Sequence, residues 1–344
     1  LPEYDSWRVR SRQQSQDSGV LIGVGLATVV KGSGAKVITL SEHSRVMVDR
    51  DGAVTVHTGV SPHGQGTETT FAQMTADMLG VTPADIEVLH SDTDILPAGG
   101  GTGASRGMIA GGTSLQLVLE DAQEKLTSIA AHLLDCLQGD VVLQDGSAFN
   151  RNGPEQTVPF ARLAEAAHTE ELLPPGQEPG LDFIGSNTLG KSPYAFGAHV
   201  AVVEVSRETG AIKILKYVGI HDSGTIVNPM LAEGQVHGAV VQGIGQALFE
   251  GMVYDPDGQP LSGSLMDYAL PRADNMPSFI FETMETPSPI TGLGVKGIGE
   301  LPTLAAPAAI ANAVMDALSQ TGVRHIDTPL TTEKVWRALH RNNP

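Results

Sequence analysis

One order of segments occurs twice in this chain, and it constrains the fold more than any single residue does. Ser44–Val48 and Val54–Thr58 read as strands around the turn Asp49-Arg50-Asp51-Gly52. The glycine-rich SPHGQGTETT (Ser61–Thr70) follows, then a helical pattern over Thr69–Leu79 that stops at Gly80. In the second half, strands His199–Val205 and Ile212–Gly219 flank the turn Glu208–Ala211, and a glycine-punctuated helix over Ile226–Phe249 completes the order. This predicts α+β architecture in two similar subdomains, each with strands and helices behind a glycine-rich loop. The predicted divisions are an exposed N-terminal arm over 1–17, a first subdomain over 18–170, a Pro/Gly linker over 171–185 and a second subdomain over 186–344. Further strands are expected at Val20–Val30, Ala35–Leu40, Ile86–His90 and Phe279–Met284, with a long helix from Gly111 to about Gln138.

The densest glycine stretch is TGLGVKGIGELPT, Thr291–Thr303, which ends in one carboxylate, Glu300, with Pro302 and an apolar run to Leu318 behind it. Proline suits the first turn of a helix, so a helix is expected to begin just past Glu300. Two readings stand: a glutamate that caps that helix, or one presented to a ligand lying against the glycine backbone. Gly64-Gln65-Gly66, just ahead of a helix, offers an anion cradle and a side-chain amide, or a simple turn. In Gly99–Gly107, Gly103, Ala104 and Ser105 lead to Arg106, whose guanidinium fork suits a phosphate; a loose Gly/Ser loop is the alternative. Gln235 and Gln242 sit in GQVHGAVVQGIG, where Gly234, Gly238, Gly243 and Gly245 call for a neighbouring helix or a ligand.

A net charge of −18 disfavours nucleic acid and anionic membrane surfaces as partners. The single cysteine, Cys136, excludes a self-contained iron–sulfur cluster or a disulfide framework, is expected to be buried and inert in its helix, and makes a cytoplasmic location the default. The near-apolar run Val20–Val30 is too short for a membrane span. GIGQAL and GIGELP lack the strand–GxGxxG–helix setting of a dinucleotide fold.

Taken in order, SPHGQGTETTFAQM, SDTDILPAGGGTGASRG, DSGTIVNPMLAEGQVHGAVVQGIGQALFE, SLMDYALPRADNMP and GVKGIGELPT resemble the molybdenum hydroxylases, the xanthine dehydrogenase, aldehyde oxidase and aerobic carbon monoxide dehydrogenase family. The resemblance covers nearly the whole chain and corresponds to the C-terminal part of the molybdopterin-binding subunit. It implies oxidative hydroxylation of an N-heterocycle or aldehyde with water-derived oxygen. Glu300 matches the family's catalytic base. Gly64, Gln65, Gly66, Gly103, Ala104, Ser105, Arg106, Gln235 and Gly299 match its cofactor contacts. The implied cofactor is molybdenum-pyranopterin (molybdopterin, in its plain or cytosine dinucleotide form), with the metal held by the pterin dithiolene and by no protein side chain. The implied partners are an N-terminal molybdopterin-binding half, an iron–sulfur subunit carrying 2Fe-2S and a flavin subunit carrying FAD. A cofactor-binding or assembly subunit without its own catalysis is the alternative.

Overall fold

Small residues decide how closely the elements approach one another. The structure, a computed structural model, describes residues 3–13, 18–34 and 41–340. Contacts group the chain into two units, one of residues 1–31, 194–286 and 298–344, the other of 32–193 and 287–297.

The first unit contains helix α1 (Tyr4–Arg12) and strand β1 (Val20–Gly32). In the second, β2 (Glu42–Val48) and β3 (Val54–Thr58) pair antiparallel, helix α2 (Thr67–Leu79) crosses over, and β4 (Ile86–His90) returns parallel to β3. A π-helical turn over Gly107–Gly112 then leads into α3 (Thr113–Leu134). A small sheet of β5 (Val141–Gln144), β6 (Ser147–Asn150) and β7 (Gly153–Pro159), then α4 (Phe160–Ala167) and β8 (Asp182–Asn187), complete this unit's elements. Its main sheet has the order β4-β3-β2-β8. Leu115, Val118, Leu119, Ala122, Leu126 and Ile129 make the buried face of α3 at helical spacing.

The first unit repeats the scheme. β9 (Tyr194–Ser206) and β10 (Ile212–Asp222) pair antiparallel, α5 (Pro229–Leu248) crosses over, and β11 (Phe279–Met284) pairs parallel to β10. Its sheet has the order β1-β9-β10-β11, and α6 (Leu301–Leu318) and α7 (Thr332–His340) follow. Asn228 caps α5 by accepting from Leu231 N–H at 3.0 Å, with Pro229 in the first turn. The expected pair of similar α+β halves is therefore present, each built as strand–strand–helix–strand–helix.

α6 is alanine-rich and apolar because it is a core helix. The span Leu301–Thr321 has the length and hydropathy to cross a membrane, yet its Ala306, Ala309, Ile310, Ala313, Val314 and Ala317 are buried in this unit's core with α5 and the sheet. Gly23 and Gly25 let β1 lie on its backbone: a Cβ at Gly25 would overlap the Ala309 carbonyl oxygen and the Ala313 nitrogen. Gly25→Ala is expected to cost about 1–3 kcal/mol by overpacking. A urea midpoint change at constant slope measures it, and a loss under about 0.5 kcal/mol would contradict the close approach. Gly243 serves α5 in the same way. Its Cβ would lie 2.7 Å from Ala306 Cβ and 2.9 Å from Thr303 O. Pro307 has no N–H to offer that carbonyl.

Several expectations are corrected. The unit division does not follow the chain halves, because β1 pairs with β9 rather than with β2. Residues 171–185 lie inside the second unit, with Leu173 and Leu181 buried, so they do not link subdomains. The N-terminal segment is no exposed arm over its described residues. Tyr4 and Trp7 pack on Ile22, Val24 and Val202, and Arg8 pairs with Asp316 at 2.9 Å. The long helix ends at Leu134, where Asp135 turns left-handed at φ 49°. Cys136 lies beyond it and is half-buried; burial, then Asp140 and Asp135, raise its thiol pKa. The strand expected at Ala35–Leu40 lies outside the described residues.

Candidate functional site

The sequence-predicted residues divide between the units: Gly64, Gln65, Gly66 and Gly103–Arg106 lie in the second, and Gln235, Gly299 and Glu300 in the first.

In the second unit three glycine-rich loops converge. Gln65 joins two of them: its Oε1 accepts from His63 N–H at 2.7 Å and its Nε2 donates to Thr102 Oγ1 at 3.5 Å. Thr102 Oγ1 in turn donates to Ser61 O at 2.6 Å. Gly59 and Gly99 allow the two backbones to cross, since a Cβ on either would meet the other's Cα at 2.7 Å. The third loop arrives at Gly297, whose Cβ would lie 2.5 Å from Ser105 Cβ and 2.7 Å from Ser33 Cβ. Gly66, left-handed at φ 80°, stands directly before α2.

Ala104 and Ser105 hold φ values of 49° and 54°. Side-chain-bearing residues held there are strained, a condition that gathers at ligand clamps. Gly34 N–H donates to Ala104 O at 2.9 Å and helps hold the loop. Arg106 does the rest, and it does not point outward. Its guanidinium is buried, paired with the fully buried carboxylate of Glu42, and donates to Gly101 O at 3.0 Å. Gly100 N–H also donates to Glu42, at 3.2 Å. The expected phosphate fork is thus an internal brace: its donors turn inward because Glu42 would otherwise be a buried uncompensated charge. Glu42 was not foreseen, because nothing in a strand sequence announces a buried partner for an arginine in another loop.

What this loop cluster offers a ligand is backbone and neutral polar groups. A Cβ at Gly64 or Gly103 would meet nothing within 4 Å, so both glycines present bare backbone to open space. That fits a polar, planar, hydrogen-bonding cofactor edge.

In the first unit Glu300 occupies the N-cap of α6, just after the half-buried Gly299, and makes no side-chain cap bond. Its Oε2 instead meets Lys31 Nζ at 2.7 Å, with the lysine side chain 14% exposed and the glutamate 51%. Lys31, missed in the sequence, is the sole charged residue of β1, and that isolation was the available signal. On α5, Gln235 is half-buried between two glycines, Gly234 and Gly238, whose Cβ positions face open space. Gln242 Oε1 accepts from Thr303 Oγ1 at 3.3 Å.

The same unit buries a polar chain. Tyr217 OH lies 2.5 Å from His199 Nδ1, and His199 Nε2 lies 2.7 Å from His221 Nε2. Burial lowers His199 to about 3, with His221 adding to the effect, and lowers His221 to about 4. Both rings are neutral near pH 7. Among the described residues no group of three His, Cys, Asp or Glu could hold a metal ion.

A model of the molybdopterin cofactor-binding domain family matches residues 1–277. The chain belongs to that family. It is 36% identical over 340 residues to the nicotine 6-hydroxylase large subunit of Paenarthrobacter nicotinovorans, covering 96% of this chain and 42% of that protein. It is 32% identical to the carbon monoxide dehydrogenase large chain of Hydrogenophaga pseudoflava, covering 99% of this chain and 44% of that one. The crystal structure of quinoline 2-oxidoreductase from Pseudomonas putida 86 superposes with a TM-score of 0.91 at 33% identity, over 100% of this chain and 44% of the other. The domain thus spans less than half the length of these relatives. Those alignments take in nearly all of this chain, while the family match ends before the Glu300 loop.

Proposed function

We propose that this domain is the C-terminal molybdopterin-binding part of a molybdenum hydroxylase, with Glu300 as the base. It works in the cytoplasm beside an N-terminal molybdopterin-binding half, an iron–sulfur subunit and a flavin subunit. The observation that carries the reading is the carboxylate of Glu300, half-exposed at the head of a buried helix and not spent on capping it. The names of two relatives, a nicotine hydroxylase and a quinoline oxidoreductase, favour an N-heterocycle over an aldehyde as substrate.

When bound, the molybdenum-pyranopterin cofactor supplies a two-electron acceptor and the activated, water-derived oxygen. Gly64, Gln65, Gly66 and the Gly103–Ser105 backbone would hold its polar edge, with Arg106 bracing that loop from behind. Gln235 would contribute a further amide. Glu300 takes the proton that the oxygen nucleophile must lose, a task for which a positioned base contributes on the order of 10² to 10⁴-fold. Overall, substrate C–H and water would become C–OH, two protons and two electrons, the electrons being passed on to an iron–sulfur partner.

The Lys31–Glu300 pair favours a second reading, a cofactor-binding or assembly subunit in which this carboxylate is structural. Metal analysis of the native assembly tests the first reading: molybdenum with co-purifying iron supports it, and absence of molybdenum overturns it. Gln65→Ala tests the cradle. It removes one side-chain amide, a net contribution of about 0.5–1.5 kcal/mol per hydrogen bond. Molybdenum retention should fall by about 2- to 10-fold, with turnover per bound molybdenum kept. Unchanged retention places Gln65 outside the site.

A further inference from the structure

We propose that Lys31 is the positioning residue of Glu300, holding its carboxylate ionised and aimed; this rests on the reading of Glu300 as the base. The two residues sit on a rigid pair of elements. β1 carries Lys31 near its end, and its Gly23 and Gly25 are pressed onto the backbone of α6 at Ala309, Ala313 and Ala317. Glu300 is the N-cap of that same α6. The strand and the helix are thus locked by packing too close for any side chain, and the ion pair spans their ends.

The helix itself does not direct the glutamate. Its N-cap backbone is helical, at φ −109° and ψ −13°, rather than extended, and no side-chain cap bond forms. The 2.7 Å contact of Oε2 with Lys31 Nζ gives the carboxylate its direction. The pair is lopsided in burial. The ammonium, 14% exposed, is sheltered, while the carboxylate, 51% exposed, is offered outward. That is the arrangement of an anchored base and not of a surface ion pair, in which both ends are solvated.

An ammonium at this distance favours the charged carboxylate. Such a base is ionised, and so competent, to lower pH than an unpaired glutamate. Along the chain the charged residue nearest Glu300 is Lys296, four positions earlier.

The test uses the molybdenum-loaded complex and two readouts on wild type, Lys31→Gln, Lys31→Arg and Glu300→Gln. One is the pH dependence of metal-centre reduction by substrate. The other, independent of turnover, is a pH-difference infrared titration of the carboxyl band that Glu300→Gln abolishes. In Lys31→Gln both midpoints should rise by about one pH unit, the low end of the effect of an opposite charge and fitting for a half-exposed group. Lys31→Arg should stay close to wild type. Wild type alone gives a check free of folding effects. Raising salt from about 0.01 M to 1 M shortens the screening length from about 30 Å to 3 Å and should move its midpoint upward. An infrared midpoint unmoved in both Lys31→Gln and high salt overturns the proposal. If instead the infrared midpoint moves but Glu300→Gln keeps the wild-type rate, the base assignment fails and Lys31 still governs the carboxylate.

Discussion

Glu300→Gln should fold, keep its molybdenum and lose at least about a hundredfold in the reductive half-reaction, the usual minimum for a positioned base. The amide is nearly isosteric and can still accept from Lys31, so the ends of β1 and α6 keep their contact. Because the side chain makes no cap bond and the amide keeps an acceptor for Lys31, the stability change should stay within about 0.5–1.5 kcal/mol, the net worth of one hydrogen bond. Glu300→Asp should keep somewhat more activity, since the carboxylate survives but sits one methylene back. The acidic limb of the pH–rate profile should vanish in the Gln variant. Stopped-flow bleaching of the metal centre at equal molybdenum occupancy measures all of this. Wild-type rates in Glu300→Gln would return the residue to a structural role and leave the assembly-subunit reading standing.

The second large effect concerns stability. Arg106→Ala should cost about 3–5 kcal/mol, because it leaves the carboxylate of Glu42 buried without its counter-charge. It should also free Gly101 O and relax the strained Ala104–Ser105 pair, so cofactor retention falls as a consequence of loop disorder. Glu42→Gln with Arg106→Met removes both charges and should recover a large part of the loss. Urea midpoints of the two single variants and the double variant form the cycle. A loss below about 1 kcal/mol in Arg106→Ala, accompanied by loss of cofactor, would mean that the guanidinium serves the cofactor and not Glu42.

The local periodicities of this chain were legible from its residues. β3 and β4 lie where their alternating apolar residues put them, and α2 ends at Gly80, left-handed at φ 71°. The start of α6 just past Glu300 follows from Pro302, which suits a first turn. The repeated order of segments was enough to predict two similar α+β halves, because a helix between parallel strands leaves few ways to bury its apolar face.

Elements with weak local signals were not legible. β7 and β8 are half polar and lie at sheet edges, where backbone pairing does most of the work. α1 read as a solvated arm until Tyr4 and Trp7 found a sheet face to cover. The site divided in the same way. Glycine spacing marked the loops around Gln65, Ser105 and Glu300, since a bare backbone is written in the sequence itself. The direction of a charge is not. Arg106 turns in to Glu42, and Glu300 turns to Lys31 rather than to its own helix end, because each meets a partner that only chain folding brings within reach. Burial and pairing of charge depend on which distant segments meet, and that was decided by the tertiary structure.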